Sequence, residues 1–151
     1  MSIWLNESKI IKSVKFFNSR ELIIIVTISD VCIVDGEGNL QKTIKRLAIP
    51  RSVHVSPSES AFIILFSDNY AILYDCTYFE PISIVRGLSS QTICMKFSPD
   101  SHYLLYGTNN SLVVWSLLSS SIDTMTHNYK EISSFSIDWY GAYLYIGNFN
   151  G

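Results

Sequence analysis

Charge is scarce in this sequence, and so are the residues that staple or punctuate small folds. Of 151 residues, 16% are charged, and there are three cysteines, four prolines and seven glycines. Cys32, Cys76 and Cys94 are odd in number and far apart in apolar surroundings. That excludes a disulfide framework or a metal knuckle and reads as small buried hydrophobes. The longest apolar run, Leu22 to Ile28, is far shorter than the roughly 20 residues that cross a bilayer as a helix. Asn6-Glu7-Ser8-Lys9 follows Met1-Ser2-Ile3-Trp4-Leu5 at once and interrupts any apolar stretch that a secretory signal needs. The expectation is a protein inside the cell, cytoplasmic or nuclear, with no membrane span.

Catalytic signatures are missing too. No Gly-x-Ser-x-Gly elbow occurs, and the scattered glycines form no phosphate-cradling loop; Gly36-Glu37-Gly38 reads as a hairpin turn with no helix after it. Asp35 and Glu37 fall at that same turn, where charge is easily solvated and acid-base work has no enclosed site. His54, His102 and His127 fall in strands or loops with no metal-ligand spacing. No enzyme activity, cofactor or metal is expected. Net charge is −2. Residues 1–51 carry eight Lys and Arg against five Asp and Glu, and residues 52–151 three against eight, giving +3 and −5. So mild an asymmetry lacks the dense basic patch of a nucleic-acid binder.

What is present is strand-forming. The hydrophobic fraction is 48%, rich in Ile, Val, Tyr and Phe, which excludes a disordered chain and points to β structure. A self-similar pattern also recurs along the chain, at the spacing of small structural repeats. Val53-His54-Val55-Ser56-Pro57-Ser58 aligns with Met95-Lys96-Phe97-Ser98-Pro99-Asp100, which matches Val55 to Phe97. Val14-Lys15-Phe16 fits the register one period earlier, with Phe16 matched to Val55, and Phe135-Ser136-Ile137-Asp138 continues it one period later, with Ile137 matched to Phe97. Within each copy, short strands alternate with turns. The predicted strands are 11–16, 22–28, 31–35 and 40–44; then 51–55, 61–66, 70–75 and 81–86; then 92–97, 103–107, 112–115 and 121–125; and 143–147 near the end. The second strand of each copy is apolar on both faces, so both faces must be buried. Small four-stranded sheets stacked face to face around an axis meet that need; a β-sandwich explains the short strands but not the common period.

These residues resemble the WD-repeat β-propellers from about Ile10 onward. Phe97-Ser98-Pro99-Asp100-Ser101 is similar to the turn after that family's first strand, and Tyr103-Leu104-Leu105-Tyr106-Gly107 to its second strand. Trp115-Ser116, Tyr74-Asp75 and Val34-Asp35 stand where the name-giving Trp-Asp pair would be. Asp68 sits at the turn where the family often places an Asp. The Gly-His that often opens such repeats is replaced by Gly87-Leu88, so the histidine-linked network of the family is not expected. The resemblance implies an all-β propeller segment of about three and a half blades: a leading segment 1–9, then blades over about 10–46, 47–86, 87–127 and an incomplete 128–151. An unfinished ring exposes strand edges and an apolar face. The expectation is an excerpt of a longer propeller, with the remaining blades in cis, or a short product completed by another chain.

The resemblance also implies function: a non-enzymatic protein-protein interaction scaffold in a multiprotein complex, binding through inter-blade loops and the turns between second and third strands. The alternative is an RNA-processing or translation-associated propeller with some nucleic-acid contact. Candidate binding residues are Arg46, Arg51, Arg86, Ser89, Gln91, Tyr129 and Lys130 in the loops, with Asp68, Asn69, Asn109 and Asn110 in the turns. Arg46, Arg51 and Arg86 would form a basic patch for an acidic or phosphorylated peptide, since the guanidinium fork pairs bidentately with such groups. Replacing all three with Ala is expected to weaken partner capture in a pulldown without loss of fold, and unchanged capture would remove the patch from consideration.

Overall fold

The computed structural model describes residues 10–85, 88, 94–108, 111–119, 122–125, 132–138, 140–141 and 143–148. Among them the chain is all-β, with fourteen strands and no helix; no helix is long and apolar enough to cross a membrane. The strands are β1 (Ile11–Phe17), β2 (Leu22–Thr27), β3 (Asp30–Asp35), β4 (Leu40–Lys45), β5 (Pro50–Val55), β6 (Ala61–Phe66), β7 (Ala71–Asp75), β8 (Pro81–Val85), β9 (Cys94–Phe97), β10 (Tyr103–Gly107), β11 (Leu112–Ser116), β12 (Ile122–Met125), β13 (Ile132–Ile137) and β14 (Leu144–Asn148). They pair in chain order into three antiparallel four-stranded sheets, β1–β4, β5–β8 and β9–β12, and the two-stranded β13–β14.

The sequence period is a period of pairing. Phe16 lies opposite Ile23, Val55 opposite Phe62, Phe97 opposite Leu104 and Ile137 opposite Leu144, so the four aligned residues hold one structural position. The next position closes the turn. Ser98 and Asp138 each donate the backbone N–H to a tyrosine carbonyl, Tyr103 at 2.9 Å and Tyr143 at 3.0 Å. Their side-chain oxygens accept the N–H of that same tyrosine, at 3.0 and 2.8 Å. Between the two ends each turn holds a left-handed residue, Ser101 with φ 63° and Gly141 with φ 71°; glycine adopts this without the steric cost that a Cβ brings.

The residues that end each third strand also serve the backbone. Asp35 Oδ1 accepts the N–H groups of Glu37 and Asn39, and Asp75 accepts those of Thr77, Tyr78 and Glu80. The Asn39 amides hold the Asp35 carboxyl below its ordinary range. At Asp75 burial pushes upward, but the N–H groups of Tyr78, Glu80 and Thr77 outweigh it and the net shift is downward. Ser116 does the same more weakly, taking the Ser119 N–H at 3.3 Å. A short polar side chain is needed here because the turn leaves backbone donors without strand partners.

The described chain divides into two compact units, 1–55 with 59–87, and 56–58 with 88–151. In the first unit two sheets stack through one core. Ile24, Val26, Val31 and Ile33 of the first sheet meet Phe62, Ile64, Phe66 and Tyr74 of the second. Phe17 meets the Phe62 ring edge-on at 6.3 Å, and Phe62 stacks on Tyr74 at 5.2 Å. Full burial of each such side chain stabilises by about 1.5–3 kcal/mol. The opposite face of β6 and β7 is buried as well, with Ile63 at 0% and Leu73 at 5% exposure. In the second unit Leu105 and Leu112 form a core with Ile132 and Phe135, with Val114, Leu144 and Ile146 against it.

Phe17 occupies the place held by Ser56, Ser98 and Asp138 in the other copies, and it is buried. It contributes apolar contact but has no oxygen for its turn. Glu59, on the second sheet's turn, supplies one: its carboxylate accepts the Asn18 N–H at 2.7 Å, the Ser19 N–H at 2.9 Å and the Ser19 hydroxyl. The Ser19 hydroxyl and amide, then the Asn18 amide and the nearby Arg20 charge, hold Glu59 below the ordinary value of 4.5. A carboxyl depressed by folding stabilises the fold above its unfolded pKa and loses that contribution as pH falls through the folded value. In urea denaturation, the stability gap between wild type and Glu59→Gln should be full at neutral pH and narrow steadily below about 4.5. A gap independent of pH would show that the carboxylate charge is not what holds the turn.

Candidate functional site

Of the sequence-predicted binding residues, Arg46, Arg51, Asp68 and Asn69 are described. Arg86, Ser89, Gln91, Asn109, Asn110, Tyr129 and Lys130 lie outside the described residues. Arg46 follows β4, and Asp68-Asn69 form the β6–β7 turn, where Asn69 is left-handed with φ 63°. The fold brings these segments together. Arg46 Nη2 reaches Asp68 Oδ2 at 2.7 Å, and the guanidinium lies 4.6 Å from the Tyr70 ring centroid and 5.0 Å from that of Phe66. Arg51 sits in β5 at a register irregularity and is exposed.

Arg46, expected from the sequence to face a partner, also has partners within the chain. Its charge already meets a carboxylate and two aromatic faces, so it fastens the end of the first sheet to the second sheet's turn. The physical reason is aromatic: Phe66 and Tyr70 flank the turn and offer a negative π surface that a planar guanidinium covers better than water does.

A second constellation, in the second unit, follows from the repeat. The Ser98 and Asp138 turns each end on a tyrosine, Tyr103 and Tyr143, where the first two copies have Leu22 and Ala61. With Tyr140 they line an open cavity of about 290 Å³. Leu105, Val114, Ile137 and Leu144 supply its apolar lining, and Pro99 and Asp100 border it from the first of the two turns. The three rings are exposed, Tyr103 at 42%, Tyr143 at 68% and Tyr140 at 89%. The Ser98 hydroxyl and the His102 amide hold the Asp100 carboxyl below its ordinary range, so it is anionic at neutral pH. His102 Nδ1 stands 3.4 Å from the other carboxylate oxygen. Sequence reasoning missed this groove. The usable signal was Tyr at one repeat position in two successive copies, Tyr103 and Tyr143.

Cys76 and Cys94 are not set up as nucleophiles. Burial pushes the Cys76 thiol up to about 12 and also raises Cys94, and a thiol that stays protonated does not attack. No group of three or more His, Cys, Asp or Glu among the described residues is arranged to hold a metal ion.

No family model matches the sequence, and no curated protein matches it. The site is therefore read from its own chemistry.

Cation–π contact contributes about 0.5–2 kcal/mol and a surface ion pair about 0.2–1 kcal/mol. Arg46→Ala should accordingly lower stability in urea denaturation by about 1–2 kcal/mol, and Arg46→Lys, which keeps charge without the planar fork, by roughly half that. Arg46→Ala unfolding together with wild type would show that these contacts do not stabilise the fold.

Proposed function

We propose that this chain is a segment of a WD-repeat-type β-propeller that acts as a non-enzymatic scaffold for binding other proteins. The observation that carries the reading is the repetition of one hairpin order at one register, with apolar second strands that need cover on both faces. Val14 and Phe16 of the first sheet, 40% and 64% exposed, lie opposite Ile25 and Ile23. In the second sheet Val53, the counterpart of Val14, is 1% exposed against the first sheet, and Val55, the counterpart of Phe16, is half-buried against it. A propeller explains this difference, since each sheet in such a ring receives a neighbour on that face.

Recognition rather than catalysis is favoured by where the polar groups go. Asp35, Asp75, Ser98, Asp100 and Asp138 are committed to turn backbone, while exposed tyrosines gather on a groove. Tyrosine is enriched at binding surfaces because a rigid ring buries much area while its hydroxyl stays hydrogen-bonded.

The test is affinity capture on the immobilised chain, with and without nuclease, across a salt series. A protein scaffold retains the same proteins after nuclease treatment and loses them gradually with salt. Capture that vanishes with nuclease, or falls about 10³-fold or more between 50 and 200 mM salt, would favour the nucleic-acid alternative and overturn this reading.

A further inference from the structure

We propose that the tyrosine groove of the second unit binds a proline-rich segment in the polyproline II conformation, with a basic residue beside the prolines. This rests on the scaffold reading and gives it a ligand class. Polyproline II makes no internal hydrogen bonds, so every carbonyl it presents needs an outside donor, and its pyrrolidine rings need flat apolar partners. Tyr103, Tyr140 and Tyr143 offer both, a ring face and a hydroxyl donor.

Three features separate this ligand from others. The cavity of about 290 Å³ falls just below the roughly 300–1,000 Å³ range of small-molecule sites. Its rings stand out in solvent, which suits an extended chain laid along the groove better than a compact ligand enclosed within it. Among the described residues the lining includes no Lys, Arg or His and one carboxylate, Asp100; its Oδ1 takes the turn's donors, and its half-exposed Oδ2, 3.4 Å from His102 Nδ1, is the oxygen left facing outward, which favours a cation over an acidic or phosphorylated segment. The two turns that carry the tyrosines are also fixed in advance, each by a pair of backbone and side-chain hydrogen bonds between its first and last residues. A stiff ligand on a stiff site loses little conformational entropy on binding.

Fluorescence anisotropy with three labelled peptides of equal length tests this. One is proline-rich with a flanking Arg, the second has Glu in place of that Arg, and the third keeps the Arg on a Gly/Ser backbone. The first should bind saturably. The Glu peptide should bind about three- to tenfold more weakly, since it loses an attraction and gains a repulsion at a half-exposed carboxylate. The Gly/Ser peptide should bind weakly as well, lacking both rings and preorganisation. Tyr140→Ala, whose side chain is almost wholly in solvent, and Tyr140→Ala/Tyr143→Ala should each weaken the first peptide, the double variant by about tenfold or more. Circular dichroism melting checks that both variants stay folded. Equal binding of the Gly/Ser peptide, equal binding to Tyr140→Ala, or no binding of the proline-rich peptide would overturn the assignment. If the peptide fails while nuclease-resistant protein capture persists, the groove alone is rejected. If both fail, the scaffold reading falls with it.

Discussion

The fold depends on the second strands of the first three repeats, β2, β6 and β10, being apolar on both faces. In β2, Ile24 and Val26 point to one side and Ile23 and Ile25 to the other; in β6, Phe62 and Ile64 oppose Ile63 and Leu65. Leaving either face of such a sheet in water is costly, because each uncovered side chain forfeits about 1.5–3 kcal/mol. Stacking is the remedy. In the first unit Ile24, Val26, Val31 and Ile33 cover the face of the second sheet that Phe62, Ile64 and Tyr74 present. The edge strands carry no such demand: β8 exposes Ile82 and Ile84, and β4 exposes Leu40.

Once the sheets are fixed by their centres, the turns become a separate problem, solved with polar side chains instead of burial. Ser98, Asp138, Asp35 and Asp75 each satisfy backbone donors that a chain reversal leaves over. Thr27 and Thr108 do so between the second and third strands, where each hydroxyl accepts a backbone N–H three residues on, at 3.0 and 3.1 Å. Phe17 shows how far the two problems are independent. Its position takes an aromatic into the core, and the acceptor it lacks comes from Glu59 on another sheet. Glu59 reaches the Asn18 and Ser19 N–H groups early in that turn, whereas Ser98 and Asp138 take the N–H that closes theirs, so the two kinds of turn are held at different donors.

This separation explains what could be read from the sequence. Period-two patterning and turn formers located the strands, most within one or two residues of their observed ends, because face burial and turn chemistry are local signals. The alignment of Phe16, Val55, Phe97 and Ile137 proved to be one pairing register. Tyr70 was read as strand but ends the β6–β7 turn, its carbonyl taking the Phe66 N–H at 2.8 Å. The candidate site was less legible. Arg46 and Asp68 were both singled out, yet nothing local says that two residues so far apart in the chain would neutralise each other, nor that Glu59 would bridge to the Ser19 turn of the preceding copy. Such pairs are made by stacking, and stacking leaves no short-range pattern.

The tyrosine groove lies between these cases and shows why a degenerate repeat is useful. The residue that ends the first turn starts the second strand, so it is held by the sheet but projects where the turn leaves room. In the first two copies that position is Leu22 and Ala61, half-buried and buried; in the next two it is Tyr103 and Tyr143, both exposed. In the two tyrosine copies the backbone there is pinned through the Ser98 or Asp138 oxygen and the main chain, not through the tyrosine side chain. A side chain at this position is therefore free to shape the surface, since the turn's bonds do not use it. On the scaffold reading proposed for this chain, what is bound can vary at positions that the sheets hold, and two tyrosines at one such position in neighbouring copies make a surface that either copy alone lacks.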